Sequence, residues 1–201
     1  MPEITTPAAL LALTALAGYL LGSVPFGMVW ARLFGLGDIR KIGSGNIGAT
    51  NVLRTGNKLA AFLTLVGDIG KGAFAVLVAR AALGEDAAQA AGLGAYLGHL
   101  YPVYIGFRGG KGVATWLGTL VALAWPVGLA AAATWLVTAG LFRISSLAGL
   151  TAAALGPIWA LVLGRADAFV IALLLGALIF ARHHENIRRL MRGEEPKIGK
   201  K

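Results

Sequence analysis

Three polar segments of this chain carry cations, and the first two set them among glycines. The first runs Asp38-Ile39-Arg40-Lys41-Ile42-Gly43-Ser44-Gly45-Asn46-Ile47-Gly48-Ala49-Thr50-Asn51-Val52-Leu53-Arg54. The second is Phe107-Arg108-Gly109-Gly110-Lys111-Gly112-Val113-Ala114-Thr115, and the third is His183-His184-Glu185-Asn186-Ile187-Arg188-Arg189. Glycines free backbone amides to point at an anion, and a helix N-terminus favours phosphate. Arg54 and Lys111 add charge-assisted hydrogen bonds. His183 and Asn186 are three apart and share a helix face. Arg143-Ile144-Ser145-Ser146 is a shorter polar point. Taken together, the set predicts a site for a phosphorylated or otherwise anionic substrate.

Several look-alike motifs fail on context. Gly43, Gly45 and Gly48 match G-x-G-x-x-G, and Asp68 falls 20 residues after Gly48. That fingerprint needs a strand before it and a βαβ unit around it; here an apolar helical run precedes it. Gly110-Lys111 is followed by Gly112, so the second segment is not a Walker A loop. The four aspartates, at 38, 68, 86 and 167, are far apart, and no histidine is followed five residues later by aspartate. A clustered-aspartate metal site and a His-x4-Asp acyltransferase motif are therefore missing. With no cysteine, thiolate chemistry is excluded as well. No metal and no cofactor is expected.

The elements that must hold these segments are membrane helices. Of the 201 residues 57% are hydrophobic and only 13% charged, against roughly 25% charged in soluble domains. Mean hydropathy is +0.75. Apolar runs of roughly 20 residues are the unit of a span. They lie at about 8–31, 59–83, 87–107, 112–125, 126–142, 144–163 and 168–181. The run from Gly112 to Phe142 carries no charge over 31 residues, too long for one span. Trp125-Pro126 divides it, because proline breaks a helix and tryptophan favours the interface. Residues 1–31 contain no Lys or Arg, so the first run lacks a signal peptide's basic flank and is expected to be retained.

With seven spans, 15 of the 18 Lys and Arg fall on one side. The other side keeps Arg80 and Arg165, and Lys71 lies inside the second span. The positive-inside rule then puts the N-terminus outside and the C-terminus in the cytoplasm. The expected fold is an all-α integral membrane protein forming a single domain over 1–201. The net charge of +9 is explained by these loops, so nucleic acid is not an expected partner. All four polar segments meet at one membrane face. Asp68 and Lys71, three apart within a span, are expected to support the site, since intramembrane ionisable pairs are functional candidates. His99 is expected to be a packed or interfacial histidine. Gly18 and Gly22, and Gly94 and Gly98, have the four-residue spacing of close helix packing.

At these residues the chain closely resembles the PlsY family, the bacterial acyl-phosphate:glycerol-3-phosphate acyltransferases. The resemblance covers nearly the whole chain. It rests on Gly43 to Asn51 and on through Arg54, on Gly109 to Thr115, and on His183 to Arg188. Asp68-Ile69-Gly70-Lys71-Gly72 and Arg143 to Ser146 also fit, and Arg108 stands where lysine is common. The resemblance implies a multi-pass enzyme of the bacterial inner membrane with a cytoplasmic active site. It would transfer a fatty acyl group from acyl phosphate to the 1-hydroxyl of sn-glycerol 3-phosphate, the first acylation in phospholipid biosynthesis. Catalytic roles would fall on His183, Asn186, Ser44 and Lys111, with either His183 or a substrate phosphate oxygen taking the hydroxyl proton. Substrate binding would fall on Arg54, Gly43, Gly45, Asn46, Gly48, Thr50, Asn51, Gly109, Gly110, Gly112, Ser145 and Arg188. Expected partners are the two substrates, membrane lipid and, functionally, the enzyme that makes acyl phosphate. A transporter of a small phosphorylated anion is the alternative; it would need access from both sides, whereas the polar residues gather on one face.

Overall fold

The computed structural model describes residues 2–199 and is all-helical. Its α-helices are α1 (Ala8–Gly22), α2 (Phe26–Leu33), α3 (Ala49–Leu53), α4 (Lys58–Leu83) and α5 (Glu85–Leu100), then α6 (Val113–Leu123), α7 (Trp125–Phe142), α8 (Ser145–Val162), α9 (Phe169–Arg182) and α10 (His184–Met191). By length and hydropathy, four stretches among the described residues can cross a membrane: Ala8–Leu33 taken through its break, α4, α7 and α8. A fifth is added if the helix ending at Arg182 and α10, bent by 64°, count as one span. Many large apolar side chains face outward, among them Leu141 at 74%, Val162 at 67% and Leu136 at 65% exposure. In water such a surface would be an aggregation liability; in lipid it is the solvated face.

Small residues set the spacing of the bundle. A methyl on Gly18 or Gly22 would lie 2.4 or 2.0 Å from the carbonyl oxygen of Ala91 or Ala95. One on Gly94 or Gly98 would lie 2.0 or 2.2 Å from that of Ala15 or Tyr19. So α1 and α5 touch backbone to backbone, as the four-residue glycine spacing predicts.

Three breaks in the apolar runs shape the site. Between α1 and α2, Pro25 lacks an N–H, and the chain turns at Ser23–Pro25. The run after residue 87 is helical only to Leu100, and residues 101–112 return toward the bundle before α6 begins. Helix α6 has 11 residues and ends at Leu123, with Pro126 in the first turn of α7. Its last carbonyls are not left bare: Arg80 donates to Ala122 and Leu123, and Arg165 donates to Leu123. In lipid an unpaired carbonyl would cost several kcal/mol, so the two arginines fix where α6 stops.

The main core joins α5, α6, α8 and α9 around Trp116, Tyr96, Leu120 and Leu175, each fully buried. A smaller cluster of Ala31, Ile39, Ile47, Val52 and Ala60 packs the first polar loop onto the start of α4.

Candidate active site

The first polar loop is built around Asn51. Its Nδ2 donates to the carbonyls of Ile39 and Asn46, both at 2.7 Å, while its Oδ1 accepts from Ser44 N–H and from Arg54. Asn51 is 2% exposed, so these bonds fold the loop back on itself. Gly43 and Gly45 have φ of +52° and +66°, conformations that glycine adopts without strain. A side chain on Gly43 would also meet the Arg54 guanidinium at 2.5 Å. Gly43 is thus the residue over which Arg54 lies.

The second loop is clamped from two sides. Gly109 and Gly110 donate their N–H groups to the carbonyls of Leu100 and His99 at 3.2 and 3.1 Å. Arg182 donates to the carbonyls of Gly109 and Gly110 and lies over the Tyr101 ring. Gly112, at φ +87°, caps the N-terminus of α6. This clamp presents the Lys111 side chain, whose Nζ donates to Asn186 Oδ1 at 2.5 Å.

Helices α6, α8 and α10 all begin here, at Val113, Ser145 and His184. Each helix N-terminus carries roughly half a positive charge. The cavity they face measures about 540 Å³ and is lined by Ser44, Asn46, Gly48, Thr50, Asn51, Arg54, Lys111, Gly112, Ser145, Ser146, His183 and Asn186. Thr50 and Ser145 join the first loop to α8 through their hydroxyls, 3.2 Å apart. Asp68 and His99 lie at the inner wall. The same cavity is also lined by Phe62, Leu65, Leu117, Trp135 and Leu136. Phe62 and Leu136 are 59% and 65% exposed, so the apolar part of the lining reaches the outer surface of the bundle.

The structure brings together most of the residues singled out in the sequence, but not all. Gly43, Gly45, Gly109 and Gly110 do not line the cavity; they hold the loops that do. Arg188 is exposed and does not line it. Lys71 lies behind Asp68, 3.0 Å from its carboxylate.

Two residues were not legible beforehand. Arg182 is the first. The second is Glu195, which reads as part of a charged tail. In the fold the tail straps across the turn between α7 and α8, with Ile198 N–H donating to the carbonyl of Arg143 at 2.6 Å. Glu195 then accepts from Ser146, Asn186 and Arg189, and Pro196 and Ile198 join the cavity wall. The bond from Asn186 Nδ2 to Glu195 fixes the amide so that Oδ1 faces Lys111. Burial opposes ionisation of Glu195, but the bonds from Ser146, Asn186 and Arg189 hold its carboxyl below the usual range. Only the sequence signal Ser146 to Glu195, two polar residues 49 apart, connects the tail to the site, and spacing alone gives no such contact.

Glu195→Ala should therefore lower kcat/KM by about 10- to 100-fold, the effect of leaving buried hydrogen-bonding groups without a partner. Glu195→Gln, which keeps an acceptor oxygen, should lose less. Equal losses in the two variants would show that charge alone matters there.

The residue pattern has known counterparts. A protein-family model described as glycerol-3-phosphate acyltransferase matches residues 12–193. The glycerol-3-phosphate acyltransferase of Jannaschia sp. (strain CCS1) is 68% identical over 200 residues, covering 100% of this chain and 98% of that protein. That of Cereibacter sphaeroides (strain ATCC 17025 / ATH 2.4.3) is 65% identical over 201 residues, covering 100% and 96%. Among solved structures, PlsY (YgiH), an integral membrane glycerol 3-phosphate acyltransferase, superposes in its glycerol 3-phosphate form with a TM-score of 0.88 at 41% identity, over 94% of this chain and 96% of that one. Its lysophosphatidic acid form gives 0.86 at 40% identity, over 94% and 95%.

Proposed function

This chain belongs to the glycerol-3-phosphate acyltransferase family, and on that premise we propose that it transfers a fatty acyl group from acyl phosphate to the 1-hydroxyl of sn-glycerol 3-phosphate. The products are 1-acyl-sn-glycerol 3-phosphate and phosphate. The observation that carries this reading is a single cavity whose wall combines cations and hydroxyls with apolar side chains, of which Phe62 and Leu136 are exposed on the surface of the bundle. Such a cavity suits one substrate with both a phosphate and a hydrocarbon tail, next to a second that is wholly polar.

Residues 1–201 act as one membrane-embedded domain with seven spans, α5 and the short α6 included. The N-terminus lies outside and the C-terminus in the cytoplasm of a bacterial inner membrane. The 11 residues of α6 measure about 17 Å, whereas the hydrocarbon core is about 30 Å thick. Its N-terminal loop therefore sits in a recess open to the cytoplasm. The recess lets a water-soluble acceptor descend to the depth at which an acyl chain lies. A donor drawn from the membrane also suits functional coupling to the enzyme that makes acyl phosphate.

The step is a direct displacement. The 1-hydroxyl oxygen attacks the acyl carbonyl carbon, a new C–O ester bond forms, and the anhydride C–O bond to phosphate breaks. Phosphate leaves with the bonding electrons, and the hydroxyl proton passes to His183 Nε2. Arg54, Lys111 and the loop amides neutralise the phosphates; Ser44, Asn46, Thr50 and Ser145 orient them. An acyl phosphate is a mixed anhydride with a good leaving group, so positioning and charge neutralisation supply most of the acceleration.

Purified protein in detergent, given palmitoyl phosphate and labelled glycerol 3-phosphate, should make lysophosphatidic acid. Palmitoyl-CoA in place of palmitoyl phosphate should yield none. Product from palmitoyl-CoA alone would overturn the donor assignment, and no product from any donor would overturn the enzyme reading.

A further inference from the structure

A buried ionic chain lies behind the second loop, and the reaction proposed above does not use it. Asp68 and Lys71 are one turn apart on α4, with side chains only 3% and 1% exposed and 3.0 Å between them. Lys71 Nζ also donates to the carbonyl of Val24, in the break between α1 and α2. The same Asp68 Oδ1 that faces Lys71 also faces His99 Nδ1 of α5, at 3.5 Å. Charge is costly inside a membrane bundle, and a well-packed apolar set of the same volume is often as stable. The arrangement therefore calls for a use beyond filling space.

The His99 ring supplies one. A methyl group on Gly110 would fall 2.2 Å from Nε2 and 3.0 and 3.2 Å from two ring carbons. Gly110 has no positive φ, so its backbone would accept alanine. The demand for glycine at 110 is steric, and His99 imposes it. Gly109 gives the internal contrast. It too lacks a positive φ, but its methyl would meet the backbone carbonyl oxygen of His99 at 2.1 Å and Pro102 at 2.4 Å. Every residue at 99 keeps that oxygen.

We infer that His99, held in place by the Lys71–Asp68 pair, is a positioning residue: its ring is the floor on which Gly110 rests, and it sets the height at which Lys111 meets substrate phosphate. His99 does not need to touch the reacting atoms for this. Its loss lets the loop sink, which weakens the hold on the phosphate bound there more than it slows transfer once both substrates are in place.

The inference rests on the acyltransferase reading, and a steric cycle tests it. His99→Ala should raise KM for one of the two phosphorylated substrates about tenfold. The KM for the other substrate, and kcat, should stay within about threefold, as expected when ground-state binding is lost. Gly110→Ala should lower kcat/KM about 100-fold, as a misplaced catalytic group does. Combining it with His99→Ala should recover at least about tenfold of that loss, since neighbouring substitutions that share one space are not additive. Gly109→Ala should gain nothing from His99→Ala. Independent effects at 99 and 110, or equal rescue at 109 and 110, would overturn the proposal. Failure of the protein to accumulate in membranes with either Ala or Ser at 99 would also overturn it, assigning the ring to folding. If the wild-type protein makes no lysophosphatidic acid, the acyltransferase reading fails by itself. The same cycle, read as thermal stabilisation by inorganic phosphate, then decides the role of His99.

Discussion

Lys111→Met should lower kcat/KM for acyl transfer by about 100- to 1,000-fold, the range seen when one preorganised charge is removed from a site of developing negative charge. The Lys111 ammonium is carried on a loop clamped by Arg182 and by the carbonyls of His99 and Leu100. It reaches Asn186 across the cavity. Methionine keeps much of the side chain's volume and removes the cation. A variant with more than a third of the wild-type kcat/KM would remove Lys111 from the site.

The same residue predicts a pH dependence with a definite sign. Burial pushes the Lys111 ammonium down to about 8, partly opposed by the charge of Glu195. The protonated form is the one that holds phosphate. In the free enzyme that form is complete well below pH 8 and is lost above it. Because kcat/KM reports the free enzyme, it should fall about tenfold per pH unit on the alkaline side. Lys111→Arg should have a lower plateau, because the planar guanidinium does not reproduce a point charge. It should nevertheless lack this limb, since arginine stays charged. An alkaline limb of unchanged position in Lys111→Arg would assign the titration to another group.

His183→Ala should lower kcat by about 100-fold or more, within the range of general acid–base catalysis. His183 is 3% exposed. Its Nδ1 lies 2.8 Å from the carbonyl oxygen of Ile179. A carbonyl only accepts, so Nδ1 carries the hydrogen and Nε2 keeps its lone pair. Burial pushes the imidazole down to about 4, with the Ile179 bond working in the opposite direction. The ring is therefore neutral through the physiological range, and any acid limb due to it should lie near pH 4 rather than near 6.5. A rate close to wild type at saturating substrate would rule out His183 as the base and give the proton to a phosphate oxygen of the substrate.

Much of this site is legible along the chain because its parts are local. The first loop closes through Asn51, whose bonds reach Ile39, Ser44, Asn46 and Arg54, all within 12 residues. Glycines at positive φ and a following helix are equally local. Arg188 shows where locality misleads: it belongs to the same short segment as His183 and Asn186, yet it falls on the solvent side of α10 while Asn186 is buried.

What lies between distant segments could not be read in advance. The order of residues was enough for an all-helical membrane chain, because its apolar runs leave few ways to satisfy the backbone in lipid. It also determined that cations and glycines recur at the breaks, where anions can be held. The contacts of Glu195 with Asn186, of Arg182 with the second loop, and of the His99 ring with Gly110 come from the tertiary structure. Each of these depends on side chains brought together from different helices. Such contacts follow from packing angles and helix lengths, above all from the 11 residues of α6, and not from the spacing of residues along any one segment.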